Sequence, residues 1–195
     1  GELAQVYQLA TAVFVGGSGT FSGGIVGGGN DAALNFAGTT LINPGISGVA
    51  NLSTGGGGTT SITGVVTTSG SQTYGEEVNL VGAATLNGTN VIFASTLNGA
   101  QTLTVNGSGA TSFGGAVGVT TALTSLTTNA AGTTALNGGS VRTTGAQSFG
   151  DAVTLGADTL LTSTGGATVG FGGTVNGVQA LNVVTGGLTR FGGAV

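Results

Sequence analysis

Few side chains in this chain of 195 residues can do chemistry: two Arg and six acidic residues, with no Lys, His, Cys, Met or Trp. The one adjacent acidic pair, Glu76-Glu77, is where paired-carboxylate acid–base chemistry would have to sit. That chemistry needs both carboxylates to face one substrate, whereas neighbours in a strand point to opposite faces. Glu76 and Glu77 are therefore expected to be solvated residues at a turn. Gly27-Gly28-Gly29-Asn30-Asp31, followed by Leu34, carries the order of a Gly-rich calcium-binding turn, which makes Asp31 the single metal candidate. Such turns work by repetition, because calcium takes six or more oxygens. One copy stands alone here and Leu34 comes one place late, so no metal or cofactor is expected. Asn51, Asn87 and Asn106 begin Asn-x-Ser/Thr acceptor patterns, which arise by chance in a chain so rich in Ser and Thr.

The missing residue types exclude whole classes of function. Without Cys or His there is no disulfide framework, thiolate, imidazole base or zinc site. Without Lys there is no P-loop and no Schiff base. Two Arg and a net charge of -4 cannot neutralise a phosphate backbone, so no nucleic-acid partner is expected. Charged residues make up 4% of the chain against about 25% in ordinary soluble domains. Gly, Thr, Ser and Asn interrupt every apolar run, so no membrane-spanning helix is expected. Gly1 stands in place of an initiator Met, which suggests a processed or excerpted chain whose secretion signal would lie upstream.

The elements that position these residues come from internal repeats. Val66-Thr67-Thr68-Ser69-Gly70-Ser71-Gln72-Thr73-Tyr74-Gly75-Glu76 is answered, position for position, by Val141-Arg142-Thr143-Thr144-Gly145-Ala146-Gln147-Ser148-Phe149-Gly150-Asp151. Phe93, Gln101 and Phe113 are answered by Phe171, Gln179 and Phe191 at a slightly longer offset, as a short insertion between Leu86 and Phe93 and their counterparts requires. One long repeat of roughly 75–78 residues and a truncated second copy are therefore expected. A shorter period lies inside. The markers Tyr74, Phe93, Phe113, Phe149, Phe171 and Phe191 are spaced 19, 20, 36, 22 and 20 apart, and Leu136 divides the gap of 36. Each module of roughly 19 residues has alternating β-branched and apolar positions, Gly or Asn turns, and an aromatic residue often followed by Gly-Gly.

Asn-Gly turns locally favour antiparallel hairpins. The constant marker spacing instead favours a coil repeat, in which each marker lies above the last. The expected fold is all-β: a right-handed parallel β-helix (β-solenoid) of about ten coils. Residues 66–195 form its repetitive coils, and residues 1–65 are expected to be degenerate N-terminal coils, a cap or a donor strand. The core ladder is expected to be Tyr74, Phe93, Phe113, Leu136, Phe149, Phe171 and Phe191. Stacking also explains the missing charge, because like charges repel in a ladder whereas Thr, Ser and Asn hydrogen-bond to their own copies.

The phrases SFGDAVTLGADT, TVNGVQALNV and FGGAV within residues 143–195 resemble the repeat arrays of giant secreted bacterial surface proteins of the filamentous-haemagglutinin and autotransporter-adhesin kind. The resemblance covers residues 66–195. It implies a secreted, extracellular right-handed β-helical rod with adhesion, biofilm or filament roles and no catalytic residues.

The expected function is thus structural and non-enzymatic: a fibre, sheath or adhesin stalk whose partner is itself, joined end to end or laterally, with the cell surface or matrix as further partners. Tyr7, Phe14, Phe191 and Val195 are the expected assembly ends. The second expectation is an adhesin module that binds glycan or protein. Ice binding would need Thr-x-Thr in every coil, and Thr102-Leu103-Thr104 is an isolated example. A polysaccharide-cleaving β-helix would need clustered Asp, Arg, Lys or His. Arg142 and Arg190 are expected on outward strand positions.

Overall fold

Alternation of small or polar with large apolar residues produces strands, and the glycines break them at regular intervals, so the chain winds rather than zigzags. The computed structural model describes residues 12–195. All described strand pairs are parallel, which makes the chain a β-solenoid of about nine turns. Type I′ hairpins need φ > 0 at both central residues. No non-glycine residue has positive φ among the described residues, so none of the Asn-Gly pairs there forms such a hairpin. Two of these Asn side chains join an outer ladder instead: Asn106 Nδ2 donates to Asn87 Oδ1 at 2.8 Å, one coil below.

The register defines three walls. Wall one stacks Ala12, Ala32, Leu52, Gln72, Val91, Thr111, Thr134, Val153 and Val175 in one column. Wall two stacks Gly19, Thr40, Thr60, Val78, Leu97, Val117, Val141, Leu161 and Val183. Wall three stacks Ile25, Ile46, Val66, Leu86, Val105, Thr128, Phe149, Phe171 and Phe191. Successive residues of the wall-one column are 19 to 23 residues apart, so a coil takes about 20 residues. At ~4.8 Å per rung the nine rungs span roughly 40 Å. The same three walls run unbroken across residues 65 and 66.

Inward positions of the three walls form one continuous core, including Phe21, Leu34, Ile62, Tyr74, Leu86, Phe113 and Leu161. Two long strands, Thr59–Thr68 and Glu77–Gly88, turn the corner between walls two and three without a break. The longer of them bulges between Leu80 and Ala84 to do so. Gly64 makes the matching bend at φ +85°, and a Cβ there would meet the Pro44 carbonyl oxygen one coil below. The Gly-Gly after the aromatic marker has a similar cause. A Cβ on Gly115, Gly173 or Gly193 would meet the backbone of Ser95, Asp151 or Gly173 beneath it, so these corners close only with glycine.

The expected single ladder of seven markers is two ladders. Tyr74, Phe93, Phe113 and Leu136 stack on wall one, where the column continues to Leu155. Phe149, Phe171 and Phe191 stack on wall three, with Thr128 beneath Phe149. The step from Leu136 to Phe149 is too short for a coil, so the chain reaches Phe149 one wall early. The long repeat therefore corresponds to three and two-thirds coils, and its second copy is rotated by one wall.

Candidate functional site: two buried corner carboxyls

The rotation places equivalent residues at two different corners, and each corner buries a carboxyl. Glu76 lies between walls one and two at 7% exposure, and Asp151 between walls three and one at 3%. Glu76 is therefore not a solvated turn residue, whereas its neighbour Glu77 is exposed at the start of the strand Glu77–Gly88. Each carboxyl reaches down to hydroxyls of the coil below. Asp151 Oδ1 accepts from Thr134 Oγ1 at 2.8 Å and from Thr128 Oγ1 at 3.2 Å. Glu76 Oε1 accepts from Thr60 Oγ1 at 2.9 Å. Thr54 holds the place of Thr128 in that corner, but its hydroxyl is buried without a partner.

The second oxygen of each carboxyl, Glu76 Oε2 and Asp151 Oδ2, is also buried without a partner. The hydroxyls of Thr40 and Thr111, one coil further down the same columns as Thr60 and Thr134, share that condition. So does Asn129 Oδ1, beside Thr128. No ion pair joins the described residues, so neither carboxyl is neutralised by a cation among them. Burial pushes the Asp151 carboxyl above the usual carboxylate range, and the hydrogen bonds from Thr134, Thr128 and the backbone oppose that shift without cancelling it.

A buried glutamine precedes each carboxyl. Gln72 Nε2 donates to Val66 O (3.2 Å), Thr68 Oγ1 (3.4 Å) and Asn87 O (2.9 Å). Gln147 Nε2 donates to Val141 O (3.2 Å), Thr143 Oγ1 (3.2 Å) and Thr162 O (3.0 Å). The amide ties its own strand start to the next coil in both copies. Only the acceptor end differs. Tyr74 hydroxyl donates to Gln72 Oε1 at 2.8 Å, whereas Phe149 has no hydroxyl and leaves Gln147 Oε1 without a partner. Burial raises the Tyr74 phenol far above its ordinary value, so it stays a donor.

Above each marker stand two more rings. Tyr74–Phe93 and Phe93–Phe113 stack with centroids 5.2 and 5.3 Å apart. Phe149–Phe171 and Phe171–Phe191 stack at 5.4 and 5.0 Å. The glutamine, the marker, the carboxyl and the ring stack thus travel together as one unit.

Asp31 sits at an exposed corner where Oδ1 accepts from Asn51 N at 3.0 Å and Asn51 Nδ2 at 2.8 Å. Asn51 Oδ1 in turn accepts from the Ser71 amide at 2.8 Å, so Asp31 begins a corner ladder. No group of three or more His, Cys, Asp or Glu comes together among the described residues. Phe14 pairs in register with Leu34 and meets Phe21 edge-on at 5.4 Å. Phe191 and Val195 lie in the last described rung, 44% and 76% exposed. Tyr7 lies outside the described residues. Arg142 and Arg190 are exposed on walls two and three.

Among the described residues the structure brings together two polar corners that the sequence paired by position without revealing their burial. No helix is long and apolar enough to cross a membrane among the described residues. Compared with protein-family models, with curated proteins and with solved structures, the chain matches none.

Proposed function

We propose that the chain is a structural, non-catalytic module of a secreted bacterial surface fibre or adhesin stalk, extended by continued stacking of the same rungs. One observation carries this reading: the parallel register continues through nine rungs on all three walls, bulging in places and thinning to single bridges on wall two between Leu97 and Val141. The last ring pair, Phe171–Phe191, stacks at 5.0 Å and 3°, as closely as Phe93–Phe113 does in the interior at 5.3 Å and 5°. A rung of this kind presents unpaired strand edges and apolar rings to whatever continues it, and so little surface charge offers scant repulsion between neighbours. The resemblance of residues 66–195 to filamentous-haemagglutinin and autotransporter-adhesin repeats supports the same role, with an extracellular location and with the cell surface or matrix as further partners.

An adhesin module that binds glycan or protein is the second reading. It is favoured by an open groove along wall one where Asp31, Asn51, Ser71 and Thr73 line up. Among the described residues no aromatic ring lines that groove for a sugar to stack on, so the rod leads.

Sedimentation and negative-stain imaging of the purified chain test the proposal. Elongated particles that lengthen with concentration are expected. A compact monomer at every concentration would contradict it.

A further inference from the structure

Of the two buried carboxyls, Asp151 is the more enclosed and the more heavily engaged. One of its oxygens takes two hydroxyl donors from the coil below and the other takes none. The elements around it hold nothing to balance a charge. Below lie Ser125–Thr128 and Thr133–Leu136 with their connecting corner 129–132. Beside it lie Gln147–Phe149 and Ala152–Leu155. Above lie Val169–Phe171 and Val175–Asn176 with their corner 172–174. Asp151 itself aside, none of these carries a titratable or charged side chain.

We propose that Asp151 is a pH-sensitive latch: a neutral carboxyl holds the corner between walls three and one closed, and ionisation loosens that corner. The reaction is one proton released to bulk water and returned from it. The neutral form leaves both Thr hydroxyls bonded to Oδ1 and brings no charge into the core. The ionised form puts a charge where one oxygen has no donor and no cation is near, which burial strongly disfavours. Relief comes from letting water into the corner. The parts that must part are the backbone bonds that close it: Gly150 N to Thr128 O (3.1 Å) and Gly172 N to Phe149 O (2.7 Å).

The direction of the pH dependence follows. A folded state that holds its proton more tightly than the unfolded chain has this contribution in full in acid, and loses it as pH rises through the raised midpoint. The latch is thus closed in acid, opposite to the usual behaviour of an acid-denatured protein. It stands whether or not the chain forms fibres.

Two measurements on the whole chain decide it. The first follows the Asp151 carboxyl carbon by NMR as pH is raised. A midpoint above the ordinary carboxylate range is expected, and a midpoint within or below that range overturns the latch. The second compares hydrogen exchange at the Gly150 and Gly172 amides on the acid and alkaline sides of that midpoint, corrected for intrinsic rate, in wild type and Asp151→Asn. Wild type should lose at least about tenfold of its protection on the alkaline side, while the variant holds its protection. Equal loss in both overturns the proposal. If the variant does not fold, the carboxyl titration alone decides.

Discussion

A single hydroxyl separates the hydrogen bonding of the two buried glutamines. In one copy, Tyr74 donates to Gln72 Oε1; in the other, Phe149 leaves Gln147 Oε1 buried and unbonded. A buried acceptor without a donor costs about 1–3 kcal/mol. Tyr74→Phe should therefore lower unfolding free energy by roughly 1–3 kcal/mol, read by denaturant titration. Phe149→Tyr should raise it, because a ring stack and a glutamine ready to accept the new hydroxyl are already in place. A destabilised Phe149→Tyr would mean that the two corners are less alike than their shared hydrogen bonds indicate. The pairing of Gln72 with Gln147 and of Glu76 with Asp151 was legible in the sequence. Their burial was not: a carboxyl next to a glycine reads as a solvated turn, and only the coil below supplies the Thr hydroxyls that let it sit inside.

The elements repeat a phrase of strand, glycine corner, strand. Its length, its alternation and its parallel stacking were all legible from the marker spacing and from the dense glycines. The wall on which each phrase lands was not legible. Alternation is the same on all three walls, and Gly-Gly follows the marker at two different corners, so nothing local fixes the wall of a marker. Wall assignment depends on the summed coil lengths, and the short step from Leu136 to Phe149 was the one visible sign of a shift. The corners themselves impose sharp limits. Gly64 combines φ +85° with a close approach to the Pro44 carbonyl oxygen. Gly64→Ala should destabilise by more than about 1 kcal/mol, seen as a lower melting temperature. A neutral result would mean that the bend between walls two and three can relax.

For the whole molecule, nine rungs in three walls account for the unusual composition: small polar residues with scattered Val and Leu cover the outside, and aliphatic, aromatic and Thr columns fill the inside, with little need for charge. The architecture rests on the register, and most of all on Phe149 standing over Thr128 rather than over Leu136. The chain has no cysteine, so paired substitutions read that register without background. Thr127 and Ser148 are neighbours on adjacent rungs of wall three, at the spacing a disulfide can bridge. A single ladder of all the markers would instead place Ala135 beneath Ser148. Oxidation of Thr127→Cys/Ser148→Cys should give an intramolecular disulfide in nearly all molecules, and Ala135→Cys/Ser148→Cys should give none. Efficient bonding of the second pair with failure of the first would contradict the three-walled solenoid.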